Sequence, residues 1–246
     1  MHGRILMIPD LSRASWLLKP LATALLALTA LLAFAVAAHA HGVATSDAGY
    51  IAEITGLNLL PYVYLGAKHM ITGYDHILFL LGVIFFLYKM EHIGIYVSLF
   101  AIGHSTTMLL GVYFNWAISS FFIDAIIGLS VVYKALDNVG ALQRWLGFQP
   151  DTKAATLIFG LFHGLGLATK VLEYNMSEDG LLPNLIAFNV GVEIGQLMAL
   201  GTILILMGFW RRTRSFWKLA YSANVAMLCA GFVLFGYQLV GLVVVP

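Results

Sequence analysis

The chain has 246 residues, of which 61% are hydrophobic and only 10% are charged, with 13 Lys and Arg against 12 Asp and Glu. Soluble domains carry about 25% charged residues, so this composition excludes an ordinary soluble protein, and the near-neutral charge argues against nucleic-acid binding. The single cysteine, Cys229, excludes a disulfide framework or a cysteine-based zinc site within one chain. The high hydrophobic content and the length predict an all-α integral membrane protein.

A cleaved signal peptide is predicted over residues 1–40. Basic residues precede an apolar run over residues 21–37, which ends in the small-residue sequence Ala38-His39-Ala40. This order of a basic segment, an apolar segment and an A-x-A site is typical of secretory signals, and an uncleaved first membrane helix is the alternative. Cleavage would start the mature chain outside the cytoplasm. Residues 41–72 would then form a periplasmic segment containing a helix at the outer interface or dipping into it.

A six-helix transmembrane bundle is predicted over residues 73–246. Its spans are residues 74–88, 93–114, 118–136, 154–172, 185–210 and 216–245. The loops that follow the first, third and fifth spans carry most of the basic residues, which the positive-inside rule assigns to the cytoplasm. With their helix ends these loops hold Lys89, Lys134, Arg144, Lys153, Arg211, Arg212, Arg214 and Lys218. Both mature termini are therefore expected in the periplasm, in a multi-pass protein of the bacterial inner membrane.

The first five spans carry polar side chains at membrane depth, where an unpaired charge is costly and functional sites concentrate. A lone His or Asn in a membrane helix is often only an interhelical hydrogen-bonding residue, but three His and three carboxylates at similar depth favour a shared site. We expect these residues to converge on one cavity open to the periplasm, whereas Lys170 is expected in solvent. The candidates are Asp75, His76, His104, Asp124, His163, Asn189 and Glu193.

The chemistry of this set favours a divalent transition metal as a transported ligand, with no permanent cofactor. Imidazole and carboxylate together suit Ni²⁺, Co²⁺, Zn²⁺ or Fe²⁺, whereas the prominence of His fits Ca²⁺ and Mg²⁺ poorly. His41, as a new N-terminal residue, can chelate metal through its α-amine and Nδ1. His41 could then collect metal and pass it through His69 to Asp75 and His76 at the cavity mouth. The alternative is that His41 has no role in metal binding.

Five segments resemble motifs of the HupE/UreJ family of bacterial membrane proteins. They are GYDHILFLL at residues 73–81, GHSTT at 103–107, IGLSVVY at 127–133, FGLFHGLG at 159–166 and FNVGVEIGQ at 188–196. The resemblance implies uptake of nickel, and of cobalt or other divalent metals, for hydrogenases and ureases. Asp124 stands where the family pattern has Glu and Leu167 where it usually has Phe, differences that can mark a subgroup with another metal.

Metal uptake across the inner membrane, with Ni²⁺ favoured, is therefore the leading prediction, and the protein is not expected to be an enzyme. The chain has no nucleotide-binding motif, so transport would be gradient-driven or facilitative. An accessory protein that hands metal to another component needs the same ligands and stays an alternative. A zinc hydrolase could combine His76, His104, His163 and Asp75 with Ser105. A haem protein with axial His is the weakest alternative, because no helix carries two mid-depth His.

Overall fold

The computed structural model describes residues 55–116, 118–173 and 179–244, and the structure in these ranges is helical with no strand. The predicted signal peptide and His41 lie outside the described residues. Eight helices follow one another along these ranges. They are α1 (Leu59–Thr72), α2 (Tyr74–Ile84), α3 (Met90–Tyr113), α4 (Ser120–Asn138), α5 (Ala141–Leu146), α6 (Thr152–Glu173), α7 (Leu181–Arg211) and α8 (Arg214–Val244).

Six of these helices pack as three close pairs, which are α1 with α7, α3 with α6, and α4 with α8. Glycines set the distance in every pair, because the backbone of one helix fills the space that a Cβ atom would need on the other. A Cβ at Gly191 of α7 would overlap the carbonyl oxygen of Val63 in α1, and one at Gly164 of α6 would overlap that of His104 in α3. A Cβ at Gly128 of α4 would lie 2.7 Å from the backbone nitrogen of Phe235 in α8. Small residues at helix contacts are typical of membrane bundles.

Helix α1 packs along the first half of α7, and α2 continues the chain toward the end of α7 with few contacts to it. At the start of α7, Asn184 accepts a hydrogen bond from the backbone N–H of Asn58 and donates one to the carbonyl of Gly56, each at 2.8 Å. At its end, the Arg211 guanidinium donates to the carbonyl oxygens of Ile84 and Phe85. The sequence predicts the first span from residue 74, where α2 begins, and an interfacial helix before it, where the structure has α1.

The interruption lies at Gly73, which has an extended backbone with φ −73° and ψ 102° between two helical segments. A Cβ at this position would lie 2.5 Å from Nδ1 of His76 and 3.1 Å from Oδ1 of Asp75. Glycine therefore lets the chain leave the helix while the next two polar side chains fold back against the break.

Four helices are long and apolar enough to cross a membrane by length and composition, namely α3, α6, α7 and α8. The two segments of the interrupted helix are individually too short, with 14 and 11 residues. Helix α4 has 19 residues but carries three charged side chains, those of Asp124, Lys134 and Asp137. The four apolar helices indicate a membrane location, while the six-span count predicted from the sequence is not established by them.

The close helix pairs make a testable prediction within α7. Gly191→Ala should destabilise the protein by about 1–3 kcal/mol, because a methyl group has no room against the α1 backbone. Gly201→Ala is the matched control, since nothing lies within 4 Å of a Cβ at that position. The control should be neutral or stabilising by up to about 1 kcal/mol, the helix-propensity gain of Ala over Gly. Thermal unfolding of the two purified variants in detergent tests this, and equal melting temperatures would contradict the close-contact interpretation.

Candidate metal centre

The helix interruption places Asp75 and His76 at the buried start of α2. Both side chains are almost fully enclosed, and Nδ1 of His76 lies 3.0 Å from Oδ1 of Asp75. An ionised carboxylate can only accept a hydrogen bond, so it holds the proton on Nδ1 and leaves a lone pair on Nε2. Nε2 of His76 has no hydrogen-bond partner among the described residues. A carboxylate that orients an imidazole in this way is the usual support of a metal-binding His.

His163 of α6 meets this pair from a second helix. Its Nδ1–H donates to the carbonyl oxygen of Phe159 at 2.7 Å, which directs the lone pair of Nε2 toward Asp75 Oδ2 at 3.9 Å. One ligand atom from each of Asp75, His76 and His163 lies within 4.8 Å of the other two. Ligand atoms bound to one ion at about 2.0–2.1 Å lie about 3–3.4 Å apart, so side-chain rotations that bring these atoms closer would complete a three-ligand site.

Two further imidazoles surround His76. The ring of His69, from the last turn of α1, lies 5.1 Å from the His76 ring, and the ring of His104, from α3, lies 5.8 Å from it. The His163 ring is 5.0 Å away, so His76 is the centre of four imidazoles contributed by α1, α2, α3 and α6. Neither ring nitrogen of His104 has a hydrogen-bond partner among the residues described. We call these four His and Asp75 the histidine cluster.

Aromatic side chains enclose the histidine cluster. Phe100 stacks on His104 with ring centroids 5.9 Å apart and meets His163 edge-on at 5.0 Å, while Phe79 lies 5.5 Å from His163. Phe188 of α7 closes the side next to His69, at 6.1 Å. Apolar rings exclude water, which strengthens every electrostatic interaction within the cluster and makes an unpaired charge there costly.

The helix ends at the interruption add partial charges to the site. The C-terminus of α1 carries a negative partial charge, which favours a cation near His69, and the positive partial charge at the N-terminus of α2 favours the Asp75 carboxylate. Paired half-helix ends of this kind are how many transporters bind ions near the membrane midplane.

A small cavity of about 10 Å³ borders the cluster next to His76. Its polar lining comes from Gln196 of α7, Tyr96 of α3 and Thr156 of α6, and the rest is apolar. Gln196 also donates a 3.4 Å hydrogen bond to the carbonyl oxygen of Val97. The cavity has room for about one water molecule. Since Tyr96 and Thr156 lie in the second turns of α3 and α6, the cavity lies toward the ends of these helices that are predicted to be cytoplasmic.

The other sequence candidates on α7 face α3 beside the cluster. Glu193 is half-buried and accepts a 3.4 Å hydrogen bond from the Ser105 hydroxyl, one residue after His104. Asn189, one turn earlier on α7, is also half-buried, and its Oδ1 has no hydrogen-bond partner in the described ranges. Glu193 therefore contacts α3 next to His104, and Asn189 lies one turn away on the same face of α7.

Asp124, another sequence candidate, forms an ion pair with Lys170, which is its counter-ion. Their side chains pair at 2.7 Å, and the two residues are only 3% and 6% exposed. Contrary to the expectation that Lys170 is solvated, it is buried between α4 and α6. Sequence reasoning missed this pair, since the two residues are 46 positions apart and only helix packing brings them together. His69, the relay candidate of the sequence, lies directly beside His76.

Comparison with known families gives one finding. The family model described as HupE / UreJ protein matches residues 45–245, which is most of the chain. No curated protein and no solved structure matches the chain. The matched range contains the complete histidine cluster and the Asp124–Lys170 pair.

The buried ion pair makes a second prediction. Lys170→Met should lower the free energy of unfolding by about 3–5 kcal/mol, because it leaves the Asp124 carboxylate buried without a counter-ion. The double variant Asp124→Asn, Lys170→Met should recover most of this loss, since no unpaired charge remains. Lys153→Met is the matched control on the same helix, because Lys153 is exposed. Thermal unfolding in detergent measures all three, and a double variant no more stable than Lys170→Met would refute the pairing.

Proposed function

The chain belongs to the HupE/UreJ family, and we propose that it carries a divalent transition metal ion across the inner membrane through the histidine cluster. The family is associated with nickel and cobalt transport and is not a known enzyme class. The observation that carries the proposal is the convergence of Asp75, His76 and His163, whose ligand atoms lie within 4.8 Å of one another in a buried site. The metal is the substrate of this site rather than a resident cofactor.

Six membrane crossings account best for the helices. In this arrangement α1 and α2 form one interrupted crossing, and α3, α4, α6, α7 and α8 form the others, after a cleaved signal peptide with both mature termini in the periplasm. The charges of α4 do not oppose its crossing, because Asp124 pairs with Lys170, and Lys134 pairs with Asp137 at 2.5 Å. Paired charges are the form in which ionisable residues are tolerated inside membranes.

The ligand chemistry favours nickel over softer metals. Four imidazoles and one carboxylate form a nitrogen and oxygen donor set that suits Ni²⁺ and Co²⁺, whereas thiolate and thioether ligands would favour Cu⁺. Asp75, His76 and His163 would form the core of the site, with His69 and His104 as adjacent ligands. Asn189 and Glu193 would contact the ion on the periplasmic approach, and Asp124 would act through its pair with Lys170.

Residues of the site provide what transport of a metal ion needs, namely neutral His ligands, groups that replace the water of the ion, and a polar exit. Ligand His must be neutral, and the hydrogen bonds from His76 to Asp75 and from His163 to Phe159 keep the proton on Nδ1 and the lone pair on Nε2. The imidazoles and the carboxylate replace the water that the ion loses on entering the aromatic enclosure. The cavity at Gln196, Tyr96 and Thr156 offers polar groups on the cytoplasmic side, where the ion can regain water.

The experiment is metal uptake into proteoliposomes that contain the purified full-length protein. Ni²⁺, Co²⁺, Zn²⁺, Fe²⁺ and Cu²⁺ are supplied in parallel, with uptake of Ni²⁺ expected to be the highest. His76→Ala and His163→Ala should each reduce the affinity for Ni²⁺ in equilibrium binding by more than about tenfold, because even supporting residues of metal sites change affinity by 10–100-fold. Uptake should fall in parallel with binding.

The matched control is His92→Ala, which removes an exposed His of α3 and should leave both measurements unchanged. Metal binding without uptake would favour the accessory protein that hands metal to another component. Equal Ni²⁺ binding by the wild type and by both cluster variants, all folded, would refute the metal site itself.

A further inference from the structure

A groove lies away from the histidine cluster, where the end of α4 and the short helix α5 meet the first half of α8. Its volume is about 370 Å³, which is within the range of ligand-binding pockets. Its walls include Leu136, Val139, Arg144, Trp145, Tyr221 and Leu228. The orientation proposed above puts this groove at the cytoplasmic boundary of the membrane.

One wall of the groove changes from basic to apolar along α8. Arg214, Lys218, Tyr221, Val225 and Leu228 follow at helical spacing and so share one face of the helix. Of these, Tyr221, Val225 and Leu228 line the groove, and Lys218 lies one turn before them, exposed. Since α8 has 31 residues, it is about 46 Å long, which exceeds the roughly 30 Å hydrocarbon core. Its basic first turns therefore reach the headgroup level and its apolar turns lie in the core.

The opposite wall presents a fixed guanidinium. Arg144 donates from Nε to the carbonyl of Gly140 at 3.2 Å and from one terminal nitrogen to that of Val139 at 3.1 Å. These bonds hold the guanidinium over the C-terminus of α4 and leave its remaining N–H groups available to an anion. Gly140 and Gly147 flank α5 with left-handed backbones at φ +69° and +76°, so the chain turns at both ends of this short helix. Trp145 beside Arg144 is 71% exposed.

We propose that this groove binds an anionic phospholipid of the cytoplasmic leaflet. Arg144 and Lys218 would contact the phosphate of the headgroup, Trp145 and Tyr221 would lie at the interface, and an acyl chain would cover Leu136, Val139 and Leu228. Charge complementarity supports this occupant, because basic pockets between helices on the cytoplasmic side are typical anionic-lipid sites, and exposed Trp and Tyr are typical of the interface. A soluble anion would leave the apolar wall uncovered. The inference rests on the proposed orientation but not on metal transport.

The test measures lipid retention by the purified full-length protein. The protein is equilibrated with phosphatidylcholine micelles with or without phosphatidylglycerol, and bound lipid is counted by native mass spectrometry. Wild type should retain one phosphatidylglycerol in preference to phosphatidylcholine. Each basic residue near the membrane surface contributes about 1 kcal/mol, so Lys218→Gln should weaken retention about fivefold, and Arg144→Gln with Lys218→Gln roughly thirtyfold. Trp145→Ala, which leaves the hydrogen bonds of Arg144 intact, should also weaken it.

Arg212→Gln is the matched control, because Arg212 is an exposed basic residue at the end of α7 and does not line the groove. Inorganic phosphate should not displace the lipid, whereas displacement by phosphate alone would mean a soluble-anion site and would overturn the lipid assignment. Retention by the Arg144→Gln, Lys218→Gln double variant equal to that of wild type, or equal retention of both lipids, would also overturn it. Equilibrium Ni²⁺ binding should be unchanged in these variants, so loss of this site and failure of the metal proposal are distinguishable.

Discussion

The interruption of one helix at Gly73 is the constraint on which the rest of the structure depends. A continuous helix would direct Asp75 and His76 along its side and satisfy its own backbone groups. The break instead leaves the carbonyl end of α1 and the amide end of α2 facing the same point, with His69 on one side and Asp75 on the other. Such an interruption is tolerated inside a protein only where neighbouring helices enclose it. Helices α3, α6 and α7 do so here.

The glycine contacts are what make that enclosure possible. His104 and His163 belong to two helices whose backbones nearly touch, since a Cβ at Gly164 would overlap the carbonyl oxygen of His104. This close approach brings both imidazoles to the same level beside His76. Larger side chains at this contact would separate the helices by several ångströms, and the ligands would then be too far apart to share one ion. Phe79 and Phe100 fill the remaining space, so the same packing that positions the ligands also removes water from them.

The amino-acid sequence predicts the composition of the site better than its geometry. The membrane class, the family and the grouping of Asp75, His76 and His163 follow from hydropathy, motifs and depth within the spans. The apolar pattern of α1 fits an interfacial helix as well as half of a crossing, so the sequence alone does not choose between the two. The Asp124–Lys170 pair joins residues of different helices, and nothing in the local sequence of either residue indicates which side chain will lie opposite.

The balance of charge in the buried site explains why imidazoles predominate. In the histidine cluster Asp75 is the one carboxylate and four imidazoles surround it, so under the proposed function a divalent ion bound there would be only half neutralised by it. A second carboxylate, such as Asp124, at the same point would bind the ion more strongly and slow its release. Pairing Asp124 with Lys170 keeps that charge neutral and away from the cluster. A transport site must bind its ion firmly enough to replace hydration and weakly enough to release it. Under the proposed function, neutral nitrogen ligands around one carboxylate would meet both requirements.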